Sequence, residues 1–92
     1  MLNKLLRALR ECKLLSARRG RGAYSKIGRK IISIENICVD IAEKYDEDHT
    51  PANAKVLKRA EDAIIVAQGS MGRQAYRLNT AQDILGMLFS ED

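Results

Sequence analysis

Tryptophan is absent from this chain, and Phe89 is its lone phenylalanine beside three tyrosines. Any core must therefore be assembled from Leu, Ile, Val and Ala. With one histidine, His49, a pair of imidazole ligands is impossible. Two cysteines, Cys12 and Cys38, are too few for a disulfide framework and do not form a Cys-x-x-Cys pair. They are expected as free thiols in a reducing, cytoplasmic setting. One proline and six glycines leave long stretches uninterrupted, and 46% apolar residues argue against a disordered chain. No apolar run approaches the ~18 residues that cross a bilayer, so no membrane partner is expected.

Chemistry-bearing motifs are equally scarce. There is no phosphate-cradling P-loop and no nucleophile elbow. Cys12 falls on an apolar face, away from any pairing with His49. Asp46/Asp48 and Glu61/Asp62 lack an apolar pocket that would split their pKa values. The run Asp46-Glu47-Asp48-His49 is consecutive and does not wrap an ion, so it reads as a solvated acidic turn. No enzyme, cofactor or metal site is expected.

Acids are all but missing from one third of the chain. Residues 1–30 hold ten Lys or Arg and the single acid Glu11, whereas residues 31–92 hold six bases and eleven acids. A segment near +9 is thus joined to one near −5, inside an overall charge of +4. A one-sign patch steers partners of the opposite sign. The Arg-rich, acid-poor first 25 residues have the composition of a mitochondrial transit peptide. However, Leu2, Leu5, Leu9 and Cys12 step by 3, 4 and 3, which suits a folded core. Lys4, Arg7 and Arg10 interrupt the apolar start, against a secretory leader.

The apolar periodicity predicts four helices in one domain, residues 1–92. The first runs from Leu2 to about Ala17 with a stripe of Leu2, Leu5, Leu6, Leu9, Cys12 and Leu15, opposite Lys4, Arg7 and Lys13. Gly20 and Gly22 are expected to stop it. The second begins at the N-cap Ser25 and runs to about Tyr45. Its Ile27, Ile31, Ile34, Cys38, Ile41 and Tyr45 step by 4, 3, 4, 3, 4, a heptad row that Ile32, Ile37 and Val39 widen. This helix is expected at the centre. Thr50 caps the third, with Pro51 at its first position. Val56, Leu57, Ala60, Ile64 and Ala67 form its buried face beside Ala63 and Val66, and it ends near Gly69. Residues 69–77 read as a loop. The fourth helix starts at Thr80 as cap, with Asp83 three residues on, and carries Ile84, Leu85, Met87, Leu88 and Phe89. The expected fold is all-α: a small antiparallel bundle of three long helices plus a short C-terminal helix.

Up-down-up-down topology turns the linear charge asymmetry into a spatial one. Arg18, Arg19, Arg21, Lys26, Arg29, Arg73 and Arg77 are expected at one end, and Asp46, Glu47, Asp48, Glu91 and Asp92 at the other. In a hairpin centred near Gly22, Cys38 lies six residues, or about 9 Å, beyond the level of Cys12, past the ~7 Å limit for a disulfide.

The basic end is the candidate contact surface: Arg18, Arg19, Arg21, Tyr24, Lys26, Arg29, Arg73, Tyr76 and Arg77. Arg73-Gln74-Ala75-Tyr76-Arg77 echoes Arg21-Gly22-Ala23-Tyr24. Arginine forks suit carboxylates and phosphates alike, and Tyr24 is placed to stack on a base. The primary expectation is an inhibitor or adaptor engaging an acidic or nucleic-acid-handling protein. Small chains of this type occur among viral and mobile-element accessory factors. The alternative is nucleic acid or a nucleotide held by its phosphates. A helix-turn-helix is disfavoured, because the link at 69–77 is long and the fourth helix has no base to enter a groove. The wide apolar stripe of the second helix allows a homodimer.

Overall fold

The computed structural model describes residues 1–18 and 21–89, the side chains of Arg21, Leu88 and Phe89 excepted. These residues form α1 (Leu2–Ser16), α2 (Arg21–Glu47), α3 (Pro51–Ser70), a 3-10 helix η1 (Gly72–Leu78) and α4 (Asn79–Phe89), with no strand among them. The expected all-α bundle is present. The heptad row of α2 explains its arrangement. Ile27, Ile31, Ile34, Cys38 and Ile41 are all buried, and Tyr45 packs at the edge of the same core. Against that row lie Leu5, Ala8, Leu9 and Cys12 from α1, Leu57, Ala60, Ile64 and Ala67 from α3, and Ala81 and Leu85 from α4. α2 accordingly packs on α1, α3 and α4.

Several boundaries differ from the sequence reading. Gly22 does not stop a helix; it lies in the first turn of α2, which begins four residues before Ser25. Contacts of Tyr24 with Arg77 hold this turn beyond what local propensity supplies. Gly20 lies outside the described residues. At α3 the cap matches expectation: Thr50 Oγ1 accepts from the Asn53 N–H at 3.1 Å, and Pro51 opens the helix. The α3 C-terminus falls at Ser70, beside Gly69 as expected. The turn falls at Gly72, whose φ of +55° is the sole positive value among the described residues. Beyond it, residues expected as loop form η1, which runs straight into α4. Asn79 is already helical, so Thr80 caps nothing and forms no capping box with Asp83. Met71 and Leu78 are buried, and with Ala81 and Leu85 they continue the core across the junction. Gln68 Nε2 fastens it by donating to Ala75 O at 3.3 Å and Asn79 Oδ1 at 3.1 Å.

Some expected core positions are exposed: Leu6, Val66 and Met87, and on α2 Ile32 and Val39. The core closes on one side of each helix, and these residues fall outside its arc. Leu88 and Phe89 lie outside the described side chains.

The bundle measures 43 × 21 × 15 Å, and the 27 residues of α2, about 40 Å long at 1.5 Å per residue, span it. Lys30 of α2 pairs with Glu11 of α1 across the antiparallel hairpin. Cys12 and Cys38 are both free and fully buried. Burial pushes the Cys12 thiol up to about 11, against the pull of Lys30 and Arg77. Burial and then Glu35 push Cys38 up to about 12.

Two outcomes follow from this core. Ile34→Ala should cost about 2–5 kcal/mol in denaturant unfolding, whereas Ile32→Ala, at an exposed site on the same helix, should stay within about 0.5 kcal/mol. The thiols set a pH dependence. Their folded pKa values are raised above those of the unfolded chain, so the neutral thiols' stabilisation is complete below pH ~8.5 and is lost as pH climbs toward 11–12. Urea midpoints should fall above pH ~9, and Cys12→Ala with Cys38→Ala should flatten that fall.

Candidate interaction surface at the basic end

The end of α1, the start of α2 and η1 meet at one pole of the bundle. Arg77 makes the join. It extends from η1 across the first turns of α2, donating from Nη1 to the Tyr24 carbonyl at 3.2 Å and to Gln74 Oε1 at 3.1 Å. Its guanidinium carbon stands 4.2 Å from the centre of the Tyr24 ring, a cation–π contact. One turn further along α2, Gly28 leaves the space the guanidinium uses: a Cβ there would come 3.0 Å from Arg77 Nη2. Glycine is costly within a helix, and here its missing side chain is what allows the crossing.

Around this clamp the cationic residues are exposed. Arg18, Ala23, Tyr24 and Gln74 line one shallow hollow. Leu15, Lys26, Arg29, Lys30 and Ser33 line a second, of about 320 Å³, and Leu15 belongs to both. Arg73, next to Gln74, is exposed, as is Tyr76. The structure therefore brings together Arg18, Tyr24, Lys26, Arg29 and Arg77, with Arg73 and Tyr76 exposed on the same 3-10 helix as Arg77. Arg19 and the Arg21 side chain lie outside the described residues.

The two Arg/Tyr segments do not face outward as a matched pair. Arg21–Tyr24 is α-helical and Arg73–Arg77 is 3-10, and Arg77 turns inward onto Tyr24. One face of the Tyr24 ring is thereby occupied, although the residue remains 56% exposed. Among the described residues the ion pairs are Lys30–Glu11 and Lys58–Asp62. Arg18, Lys26, Arg29 and Arg73 thus have no carboxylate partner there.

At the far pole, Asp46, Glu47 and Asp48 are exposed in the α2–α3 turn. Asn53 Nδ2 donates to the Asp48 carbonyl at 2.8 Å, and the His49 ring leans on Tyr45 with centroids 4.6 Å apart. This pole is mixed rather than purely acidic, since Met1, Asn3 and Lys44 border it. Glu91 and Asp92 lie outside the described residues. Cys12 senses Lys30 and Arg77 near the basic pole, whereas His49 sits in the opposite turn, so the two are not a nucleophile–base pair. No three His, Cys, Asp or Glu side chains converge on a metal site among the described residues. No helix among them is long and apolar enough to cross a membrane.

Sequence reasoning passed over Gly28 and Gln74. A glycine four residues after Tyr24, within an isoleucine-rich helix, is the signal that marks a close approach. Compared with known proteins, the chain matches no family model, no curated sequence and no solved structure.

The clamp is testable by a double-mutant cycle. Gly28→Ala should stabilise an Arg77→Ala background by about 1 kcal/mol, the helix-propensity gain, and stabilise the natural chain by less, because the new methyl meets the guanidinium. Equal gains in thermal or urea unfolding would show that Arg77 does not rest on Gly28.

Proposed function

We propose that this chain is a non-enzymatic binding protein, an inhibitor or adaptor in a reducing, cytoplasmic setting, whose basic end docks on an acidic surface of a protein partner. The supporting observation is the clamp. Arg77 ties η1, which carries Arg73, to α2, which carries Lys26 and Arg29, and Arg18 lines the adjoining hollow with Tyr24. Preorganised cations lose less freedom on binding than those on a loose tail. The acidic turn at Asp46 and Glu47 begins 17 residues beyond Arg29 on α2, about 25 Å along the axis and roughly three times the ~8 Å screening length at physiological salt. The hollows are shallow, which favours a protein-sized surface over a small ligand.

A second reading is favoured by one feature. Lys26, Arg29 and Lys30 line a single hollow on successive turns of α2, a spacing suited to phosphates. Because Arg77 covers one face of Tyr24, contacts of this kind rest on the backbone rather than on stacked bases.

Affinity capture from lysate, with and without nuclease, separates the two. Capture by the natural chain should survive nuclease and disappear with Arg18→Glu/Arg73→Glu. Capture that nuclease abolishes, with oligonucleotide affinity falling on a log–log salt slope of about −0.7 per phosphate contact, supports the nucleic-acid reading instead. A captured set indifferent to both treatments removes the basic end from the interface.

A further inference from the structure

The solvent face of α2 carries a second heptad row, distinct from the one in the core. Arg29, Ile32, Asn36, Val39 and Glu43 step by 3, 4, 3, 4, and every one of them is exposed. Ile32 is 60% and Val39 37% exposed, large for aliphatic residues on a helix whose other side forms the centre of the bundle. The row is graded in charge. Arg29, with Lys26 beside it, occupies the N-terminal half; Glu43, with Asp40 and Glu47 nearby, occupies the C-terminal half. Asn36 sits midway, seven residues from Arg29 and seven from Glu43.

We propose that this row is a docking surface for a second copy of the chain, packed antiparallel about a two-fold axis close to Asn36. A surface of this kind is its own complement when reversed. At 1.5 Å per residue, Arg29 and Glu43 each stand about 10 Å along α2 from the axis, so each Arg29 comes to the level of Glu43 in the other copy. The ion pair forms twice, as an isologous interface requires. Between the two pairs, Ile32 and Val39 of both copies pack together and leave water. The Asn36 amide both donates and accepts, so two Asn36 side chains meeting at the axis satisfy each other and fix the register. Parallel packing is disfavoured, because it sets Arg29 on Arg29 and Glu43 on Glu43.

The other exposed apolar residues do not match a second copy in this way: Leu6 and Leu14 of α1 stand among Arg7, Arg10 and Lys13, and the one acid there, Glu11, already pairs with Lys30. Ile65 and Val66 follow Lys58, Arg59 and Asp62 on α3, without a reversed counterpart, and Met87 stands apart on α4. One helix seam lies at the small end of stable interfaces, so the association is reversible and concentration-dependent. Arg29 belongs to both surfaces, but Arg18 and Arg73 lie outside the row and Glu43 outside the basic end, so Arg18→Glu/Arg73→Glu reads the docking alone and Glu43→Arg the dimer alone.

Sedimentation equilibrium from ~1 μM to ~1 mM should show a monomer–dimer equilibrium weakened by salt. Arg29→Glu and Glu43→Arg should each weaken it about tenfold or more, with far-UV circular dichroism unchanged at these exposed sites. Mixing the two variants should restore association, because every ion pair across the mixed interface again joins opposite charges. Ile32→Glu/Val39→Glu should give a folded monomer. A natural chain monomeric throughout that range, a mixture no tighter than its components, or a dimer indifferent to Ile32→Glu/Val39→Glu overturns the proposal.

Discussion

The structure depends on burying the isoleucine row of α2 without aromatic help. Branched aliphatic side chains fill little space each, so neighbouring helices must approach closely. Alanines provide that approach: Ala8 on α1, Ala60 and Ala67 on α3, and Ala81 on α4 are all buried. A helix contacted by three others has to run the length of the molecule. The 27 residues of α2 therefore set the long dimension of the bundle and the separation of its two poles. The charge arrangement follows from this packing constraint, because short connections deliver Arg18, Tyr24 and η1 to one pole and Asp46–Asp48 to the other.

Arg77 links packing to surface chemistry. η1 packs on α3, and the Arg77 side chain carries the connection on to α2 through the Tyr24 carbonyl, the Tyr24 ring and the space over Gly28. A charge satisfied by a carbonyl, an amide oxygen and a ring face needs no carboxylate. The pole can thus be held together while remaining strongly positive. Had an acid performed this task, it would have cancelled the field that the surrounding cations create.

Much of the core was legible in the sequence. Ile27, Ile31, Ile34, Cys38 and Ile41 repeat on one side of a helix with no competing period, so their burial follows from spacing alone. Thr50-Pro51 was legible for a chemical reason, a side-chain acceptor followed by a residue that lacks an N–H. Residues 69–78 were not. Met71 and Leu78 are separated by one full heptad of mostly polar residues, and tertiary contacts with α3 make that segment helical. The start of α2 was hidden likewise, because its first turn is held by a residue 53 positions away. At the basic pole, topology sufficed to gather Arg18, Tyr24, Arg29, Arg73 and Arg77. Which way each side chain points was not encoded in any local pattern, and so the inward turn of Arg77 went unread.

The scarcity of aromatic residues has an optical consequence. With no tryptophan, the near-ultraviolet emission of the chain comes from Tyr24, Tyr45 and Tyr76. Two of these stand at the cationic pole, one of them beneath a guanidinium, and the third lies against His49 at the opposite pole. Substituting Tyr45 leaves a chain whose intrinsic fluorophores report on the cationic pole alone, a label-free gauge of whatever approaches it.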